Sequence, residues 1–564
     1  MKIIIVGGVA GGASAAARLR RLKEDATIVM YEKGPHISYA NCGLPYYVGG
    51  EITDQEELLL QTPEDFKQRF NIDARVNHEV LSIDKAKKEV TVVNRISGKT
   101  FVDTYDKLIL SPGAEPVVPP FEGLPSPLVF TLRTVPDTIK IRKFIEREKP
   151  KTVLIVGGGY IGVEMAENLS HAGLQVTVAE LMDHVIMPLD FDMAAEVHQY
   201  LRSKDISLLL NQGVQSFQTQ GKKVKVKISD IFYEFDMVLL SVGVRPDTKF
   251  VASTGLALGQ RGAIAVDEHM LTSDPNIYAV GDAVTVKNFM TQQDGYIPLA
   301  GPANKQGRIA ADNIAGIPST YKGTQGTAIL RLFDMVVATT GLNEGAVSKL
   351  GLPYEKIYNF DANQAGYYPG GTNMTIKLVF NPKDGKMYGA QIVGFAGVDK
   401  RIDVLSTAIR SGLTVHDLVD LELAYAPPFS TAKDPVNMTG YMAENVINGT
   451  IKQFYIENIC QLPIDGSVTF LDVRTPAEYK RGHLETAINI PVDELRDHLS
   501  ELDKNKKIYV NCQSGFRSYL ACRILTAHGF DCAHLAGGYR LYRVLDKEAE
   551  HEGGLRGRCG MPVK

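Results

Sequence analysis

The sequence predicts an α/β protein: two strand–turn–helix–strand units built on glycine-rich turns, a third α/β segment, and a small separate α/β domain at the C-terminal end. Three observations predict it. Lys2–Val6 and Thr152–Val156 are short apolar runs that each lead into a glycine-rich turn and then a helix-forming stretch rich in small residues. Each stretch returns to a second apolar run ending in an acid, Thr27–Tyr31 before Glu32 and Gln175–Ala179 before Glu180. After Asn448-Gly449 the pattern breaks and restarts at Ile464. The 564 residues agree with three to four domains at roughly 150 residues each.

In the first unit Gly7 and Gly12 frame the turn, and Val9 stands at the middle position of a G-x-G-x-x-G pattern; the second unit completes it with Gly157, Gly159 and Gly162. Such turns bring backbone N–H groups at a helix N-terminus close to a pyrophosphate, and the acid at the next strand end binds a ribose. Glu32 and Glu180 lie 25 and 23 residues after the first glycine of their units. The pair predicts two Rossmann-like dinucleotide-binding domains, one for a flavin and one for a nicotinamide. Glu180 predicts NADH over NADPH, because an acid there repels a 2′-phosphate and no Lys or Arg occurs from Leu181 to Phe191.

Leu271–Asp282 (LTSDPNIYAVGD) resembles the second FAD-binding motif of flavoproteins with two dinucleotide-binding domains. The resemblance implies that Asp282 contacts the ribityl–phosphate region. Tyr105–Glu115 and Leu239–Pro246 resemble the crossovers between the two nucleotide domains. FAD is thereby expected on residues 1–112 and 240–320, and NAD(P) on residues 113–239. Residues 321–445 alternate short β-like runs (Thr375–Phe380, Gly389–Gly394) with a helix near Lys400–Ser411; the corresponding superfamily region is a dimerisation domain. Residues 446–463 read as a linker.

Composition excludes several classes. With 61 Lys+Arg against 65 Asp+Glu, the net charge of −4 leaves no basic footprint for nucleic acid. No apolar stretch reaches the ~18 residues needed to span a bilayer. The N-terminal run imitates a signal peptide, but cleavage would destroy the first glycine turn, so no secretion is expected. The six cysteines, Cys42, Cys460, Cys512, Cys522, Cys532 and Cys559, form no disulfide framework and no metal-type CxxC pair. A reducing cytoplasm is the expected setting.

Cys42 is the only cysteine before residue 460, in the run Ser38-Tyr39-Ala40-Asn41-Cys42-Gly43-Leu44-Pro45-Tyr46. It is expected to open a helix, whose N-terminus lowers a thiol pKa. Tyr47 occupies the position where paired-cysteine reductases carry a second thiol, so this thiol works alone, as a sulfenate or a mixed disulfide. Residues 1–445 resemble the single-cysteine pyridine nucleotide–disulfide reductases, closest to the coenzyme A-disulfide reductases, in SYANCGLPY (38–46) and LAYAPPFSTAKDPVN (423–437). The sister peroxidases and oxidases have a His in the first glycine loop, where Ala10 stands. The resemblance implies that Arg18, Arg21, Ser38 and Asn41 line a coenzyme A channel and that Lys433 contacts a phosphate. It also implies that Tyr367 and Tyr425 approach the partner subunit's cysteine and protonate a leaving thiolate in a homodimer. Tyr368 is an equal reading of the first tyrosine, and Phe70 falls where the family is often basic.

Asp472–Tyr479, Gly482-His483-Leu484 and Gly537-Gly538-Tyr539 flank the loop Cys512-Gln513-Ser514-Gly515-Phe516-Arg517, fed by strand Lys507–Asn511 and left by helix Ser518–Ala527. Such a loop stabilises a thiolate or persulfide through its backbone N–H groups. Residues 464–564 resemble a rhodanese sulfurtransferase domain, with the Cys-x₄-Arg ring size of that family and Arg517 stabilising the loop anion. Cys522 and Cys532 read as core or surface thiols, Cys460 as a linker thiol, and Cys559 as a free tail thiol or a resolving one. The whole resembles the coenzyme A-disulfide reductase–rhodanese fusions, also known as NADH-dependent persulfide reductases. It implies a flavoenzyme passing electrons from NAD(P)H through FAD to Cys42 and on to coenzyme A disulfide, persulfide or polysulfide, while Cys512 carries sulfane sulfur. Two alternatives stay open: an NADH oxidase or peroxidase cycling a Cys42 sulfenate, and a non-catalytic sulfur-relay or sensing protein.

Overall fold

A computed structural model describes residues 1–551; Cys559 and the rest of the tail lie outside the described residues. Met1–Met182 and Ile206–Gly326 form one compact unit, and Asp183–Asp205 with the chain from Thr327 form a second.

The first unit holds two five-stranded parallel sheets. One runs in the order Ile277–Ala279, Lys107–Leu110, Lys2–Val6, Thr27–Tyr31, Asp73–Arg75. The other runs Ser207–Leu209, Gln175–Ala179, Thr152–Val156, Met237–Leu240, Val129–Thr131. Strands buried on both faces must be apolar throughout; Ile3, Ile4 and Ile5, like Val153, Leu154 and Ile155, are fully buried. The four strands read from the sequence match residue for residue. The first helix, Ala10–Leu22, starts inside the glycine run. Glycine is required there because a Cβ on Gly12 would stand 2.0 Å from the Gly7 carbonyl oxygen. Farther along, Gly11 meets Gly307 of helix Ala300–Ile314, where an added Cβ would lie 2.3 Å from the Gly11 oxygen.

The second unit carries an antiparallel sheet in the order Ala328–Leu332, Met335–Gly341, Met387–Gly394, Asn373–Phe380, Glu355–Ala362. It also holds a parallel sheet in the order Gln453–Phe454, Cys532–Leu535, Ile508–Asn511, Thr469–Asp472, Ile488–Asn489. Residues 446–463, expected as a linker, thus supply the edge strand that pairs with His534–Leu535 and the turn Ile456–Ile459, whose Glu457 meets the buried Lys356 at 2.7 Å. Helix Phe191–Ser203, inside the stretch assigned to nucleotide binding, groups here instead. Fully buried Lys377 draws Asp190, Asp192 and Glu344 together at 2.8–3.0 Å. The C-terminal helix Gly538–His551 packs on helix Phe191–Ser203. There buried Glu548 accepts from His198 Nδ1 at 3.0 Å and from both Arg202 Nη atoms at 2.6 and 2.8 Å. Among the described residues no helix is long and apolar enough to cross a membrane, and no group of three or more His, Cys, Asp or Glu residues is placed to hold a metal.

Candidate active sites

The two glycine turns have the same design. Glu32 accepts from the Gly8 and Gly34 N–H groups at 3.1 and 2.8 Å, and Glu180 accepts from Gly158 and Met182 at 2.6 and 2.9 Å. Burial pushes the Glu32 carboxyl up, and the Gly34 and Gly8 N–H groups oppose that shift. Gly7 and Gly157 are demanded by the protein itself: φ is +92° and +104°, and a Cβ would strike the Ser111 or Ser241 carbonyl oxygen at 2.0 or 2.4 Å. Gly159 differs, with ordinary φ of −71° and nothing within 4 Å of its would-be Cβ. The protein does not need glycine there, whereas a pyrophosphate approaching the helix N-terminus does. The turns therefore fit dinucleotides, with the first tolerating Val9.

Cys42 is exposed and sits in a single 3₁₀ turn, Asn41–Gly43, ahead of the six-residue helix Leu44–Gly49. This corrects the expectation of a thiol activated by a helix N-terminus, since so short a helix has little dipole to offer. Partial burial, then the Glu164 and Asp282 carboxylates, push the thiol up instead, and Arg133 pulls it down. Glu164, on helix Tyr160–His171, is itself pushed up to about 7 by burial and by Glu167. Arg133 organises this corner: it donates to Asp282 at 2.9 Å and to the Ala114 carbonyl at 2.9 Å. The Asn41 amide exchanges two hydrogen bonds with Arg133, at 3.0 Å to its carbonyl and 2.9 Å from Nη1. Sequence reasoning missed Arg133 and Glu164, because neither stands in a spacing relation to Cys42.

Ser38, four residues before Cys42, lines a cavity of about 460 Å³ together with Arg18, Arg21, Arg69 and Arg308. Asn41 is not in its lining, being held by Arg133, and Lys433 lies exposed in the second unit. Arg18 is bound to Asp312 at 2.7 Å. Arg21 and Arg69 are exposed, and both are available to an anion. Arg69, next to Phe70 in the sequence, lines the cavity with it; the sequence signal was one residue away. Ser38 holds a strained φ of +49°, pinned where its N–H donates to the Gly8 carbonyl at 2.8 Å.

In the second unit the Tyr367 and Tyr425 hydroxyls stand 3.1 Å apart, with 76% and 48% of their surfaces exposed. Tyr368 shares the loop but makes no such pair. Buried Arg401 joins the two loops by donating to the carbonyls of Asn363 and Phe429, to Ser430 Oγ and to Asp434.

Cys512 is buried at the end of its strand. Its Sγ accepts from the Gly515 N–H at 3.1 Å and meets Ser518 Oγ at 3.4 Å. The helix begins at Phe516, two residues before the expected Ser518, so its N-terminus abuts the sulfur. Gly515, at φ +113°, makes the turn possible. The Tyr539 and Arg540 N–H groups, at the start of the C-terminal helix, donate to the Cys512 and Gln513 carbonyls at 2.8 and 2.9 Å. Arg517, expected to stabilise the loop anion, is clamped by Glu478 through two 2.7 Å bonds and also lies within electrostatic reach of the Cys512 thiol. That pairing holds the Glu478 carboxyl down at about 2. Arg474 is likewise committed to Asp472 and the Gly482 carbonyl, and lies over the Tyr539 ring.

Comparison with known proteins agrees with this geometry. Residues 1–307 match the pyridine nucleotide-disulphide oxidoreductase model, residues 327–435 its dimerisation domain, and residues 459–544 the rhodanese-like domain. A coenzyme A disulfide reductase of Staphylococcus haemolyticus is 39% identical over 446 residues, 79% of this chain and all of the relative. The structure of reduced Bacillus anthracis CoADR-RHD superposes with a TM-score of 0.95 at 49% identity, covering 97% of this chain and 98% of the other. An NAD-dependent persulfide reductase from A. fulgidus superposes at 0.91 with 36% identity, covering 96% and 100%. With two dinucleotide cradles, one exposed thiol beside them and a second thiol in a backbone loop, the chain belongs to the pyridine nucleotide-disulphide oxidoreductase family, as a flavin-dependent enzyme with a C-terminal rhodanese-like domain.

Proposed function

We propose that the protein reduces coenzyme A disulfide, persulfide or polysulfide at the expense of NADH, and that Cys512 carries sulfane sulfur for the same reaction. The observation that carries this reading is the exposed Cys42 in the same short run as Ser38, which lines a cavity together with four arginines, Arg18, Arg21, Arg69 and Arg308. A polyanionic thiol carrier suits those guanidiniums, whereas peroxide or oxygen has no use for them. FAD, when bound, supplies the electron pair taken from the nicotinamide. The glycine turns and Glu32 and Glu180 hold the two dinucleotides, and Asp282 with Arg133 borders the thiol. The Cys42 thiolate attacks one sulfur of the substrate, breaking its S–S bond and expelling coenzyme A thiolate. The mixed disulfide left on Cys42 is then cleaved by two electrons and one proton. In a cytoplasmic homodimer, the Tyr367–Tyr425 pair of one protomer protonates the thiolate leaving its partner's cysteine, and Lys433 binds a phosphate.

The purified protein should be yellow, with one FAD per chain. Steady-state NADH oxidation with coenzyme A disulfide, coenzyme A persulfide, inorganic polysulfide, oxygen and peroxide tests the reading. Turnover on the coenzyme A sulfurs exceeding that on oxygen and peroxide supports it; the reverse order would establish an oxidase or peroxidase.

A further inference from the structure

The Cys512 loop is electrically unusual for a site that must bind an anionic sulfur donor. Gln513, Ser514, Gly515 and Phe516 are neutral, and the loop's only charged side chain, Arg517, faces Glu478 in a two-point ion pair. Arg474, the other arginine in contact with the loop through Gln513 at 3.5 Å, is neutralised by Asp472. His534 is buried near Ser518, 3.4 Å from its Oγ, and burial holds it neutral, down at about 4. The most exposed side chain of the loop is apolar, while Gln513, Ser514 and Arg517 are half-buried. Phe516 follows the residue whose N–H touches the sulfur and is 66% exposed, and Leu520, 38% exposed, lies one helical turn further on the same face.

We propose that Cys512 takes its sulfur from a persulfide on a neutral organic arm, and that the Arg517–Glu478 pair with the Phe516–Leu520 face selects this donor over thiosulfate. The inference rests on the reading of Cys512 as a sulfur carrier. The Cys512 thiolate attacks the outer sulfur of R–S–SH; the donor S–S bond breaks, R–S⁻ leaves, and a new S–S bond forms on Cys512. No external oxidant or reductant enters: the sulfane sulfur moves from one thiol to another, and the persulfide proton passes to solvent or to the leaving thiolate. Thiosulfate would instead bring two negative charges to the loop and expel sulfite, with no unpaired loop cation to meet either. A pantetheine arm keeps its charges far from the reacting sulfur and lays neutral atoms on Phe516 and Leu520.

The test uses the full-length Cys42→Ser protein without NADH, so that no sulfur is consumed by reduction. Sulfur loaded onto Cys512 is read as the mass gain of one sulfur atom and as thiocyanate after cyanide addition, with pantetheine persulfide and thiosulfate as donors. Loading from the persulfide should be at least about tenfold faster than from thiosulfate. Glu478→Gln frees the Arg517 charge while the amide oxygen still accepts from Thr475, so thiosulfate loading should rise by roughly tenfold with persulfide loading little changed. Phe516→Ala should slow persulfide loading several-fold and leave thiosulfate loading unchanged; it keeps the test open if Glu478→Gln fails to fold. Equal loading from both donors, or no response of thiosulfate to a folded Glu478→Gln, would overturn the proposal. Loading from neither donor would overturn it as well, and persisting NADH-driven turnover of wild-type protein would then show that the reductase reading still stands. Loss of that turnover with the donor preference intact would show the opposite.

Discussion

At Cys42 the reactivity depends on carboxylates that the chain brings in from distant positions. Glu164, pushed up to about 7, is largely neutral below that pH and anionic above it. Its charge then opposes thiolate formation at Cys42. Glu164→Gln removes the opposing charge, so the Cys42 titration should move to lower pH. Alkylation by iodoacetamide at pH 8 should accelerate by about threefold to tenfold, the effect of up to one pKa unit. An unchanged rate–pH profile would place Glu164 away from the thiol. Cys42→Ser should abolish turnover of coenzyme A disulfide while NADH still bleaches the flavin absorbance in stopped flow, because the glycine cradles do not involve the thiol. Cys512→Ser should have the complementary effect: sulfur transfer to cyanide lost, coenzyme A disulfide reduction kept.

The nucleotide-binding elements were the most legible part of the sequence, and the reason is local. A parallel strand is a continuous apolar run, the turn after it needs glycine at fixed offsets, and the acid ends the next strand; all three are neighbours along the chain. The Cys512 loop was legible on the same ground, its Cys-x₄-Arg spacing lying within one strand–loop–helix. What escaped was set by pairing across the sequence. Arg133 meets Asp282, Glu478 takes the charge of Arg517, and Gln453–Phe454 becomes a strand only by lying beside His534–Leu535. Helix Phe191–Ser203 looked like part of the nucleotide unit because its partners, Lys377 and Glu548, come far later in the chain. Gly159→Ala tests the cradle at this scale. With open space around the new methyl, stability should change by less than about 1 kcal/mol, while the KM for NADH rises roughly tenfold because the methyl occupies the phosphate's place. Glu180 should give NADH the higher kcat/KM over NADPH, and an NADPH preference would mean that Glu180 does not meet the ribose.

Over the whole molecule, stability depends on buried ion pairs between elements far apart in sequence. Glu548 is held down at about 2 by His198 and Arg202 against its burial, and burial lowers His198 so that it stays neutral. The Glu548 contribution is complete above the ordinary carboxylate value of 4.5 and is lost as pH falls through about 2. The lowered His198 adds in the same direction, weakening the fold below its ordinary value of 6.5. Glu548→Ala strands Arg202 and His198 and should cost about 3–5 kcal/mol, read as an earlier denaturation midpoint. The C-terminal helix has a second obligation at its other end, where its first N–H groups hold the Cys512 and Gln513 carbonyls. In evolutionary terms this fusion is no longer modular. Shedding the C-terminal portion would leave His198 and Arg202 without their acid and Lys356 with Glu344 alone, and exchanging it for another sulfurtransferase would require a newcomer with a carboxylate at the same depth of its last helix. A lineage that acquired this helix gained a sulfur carrier and lost the freedom to give it back.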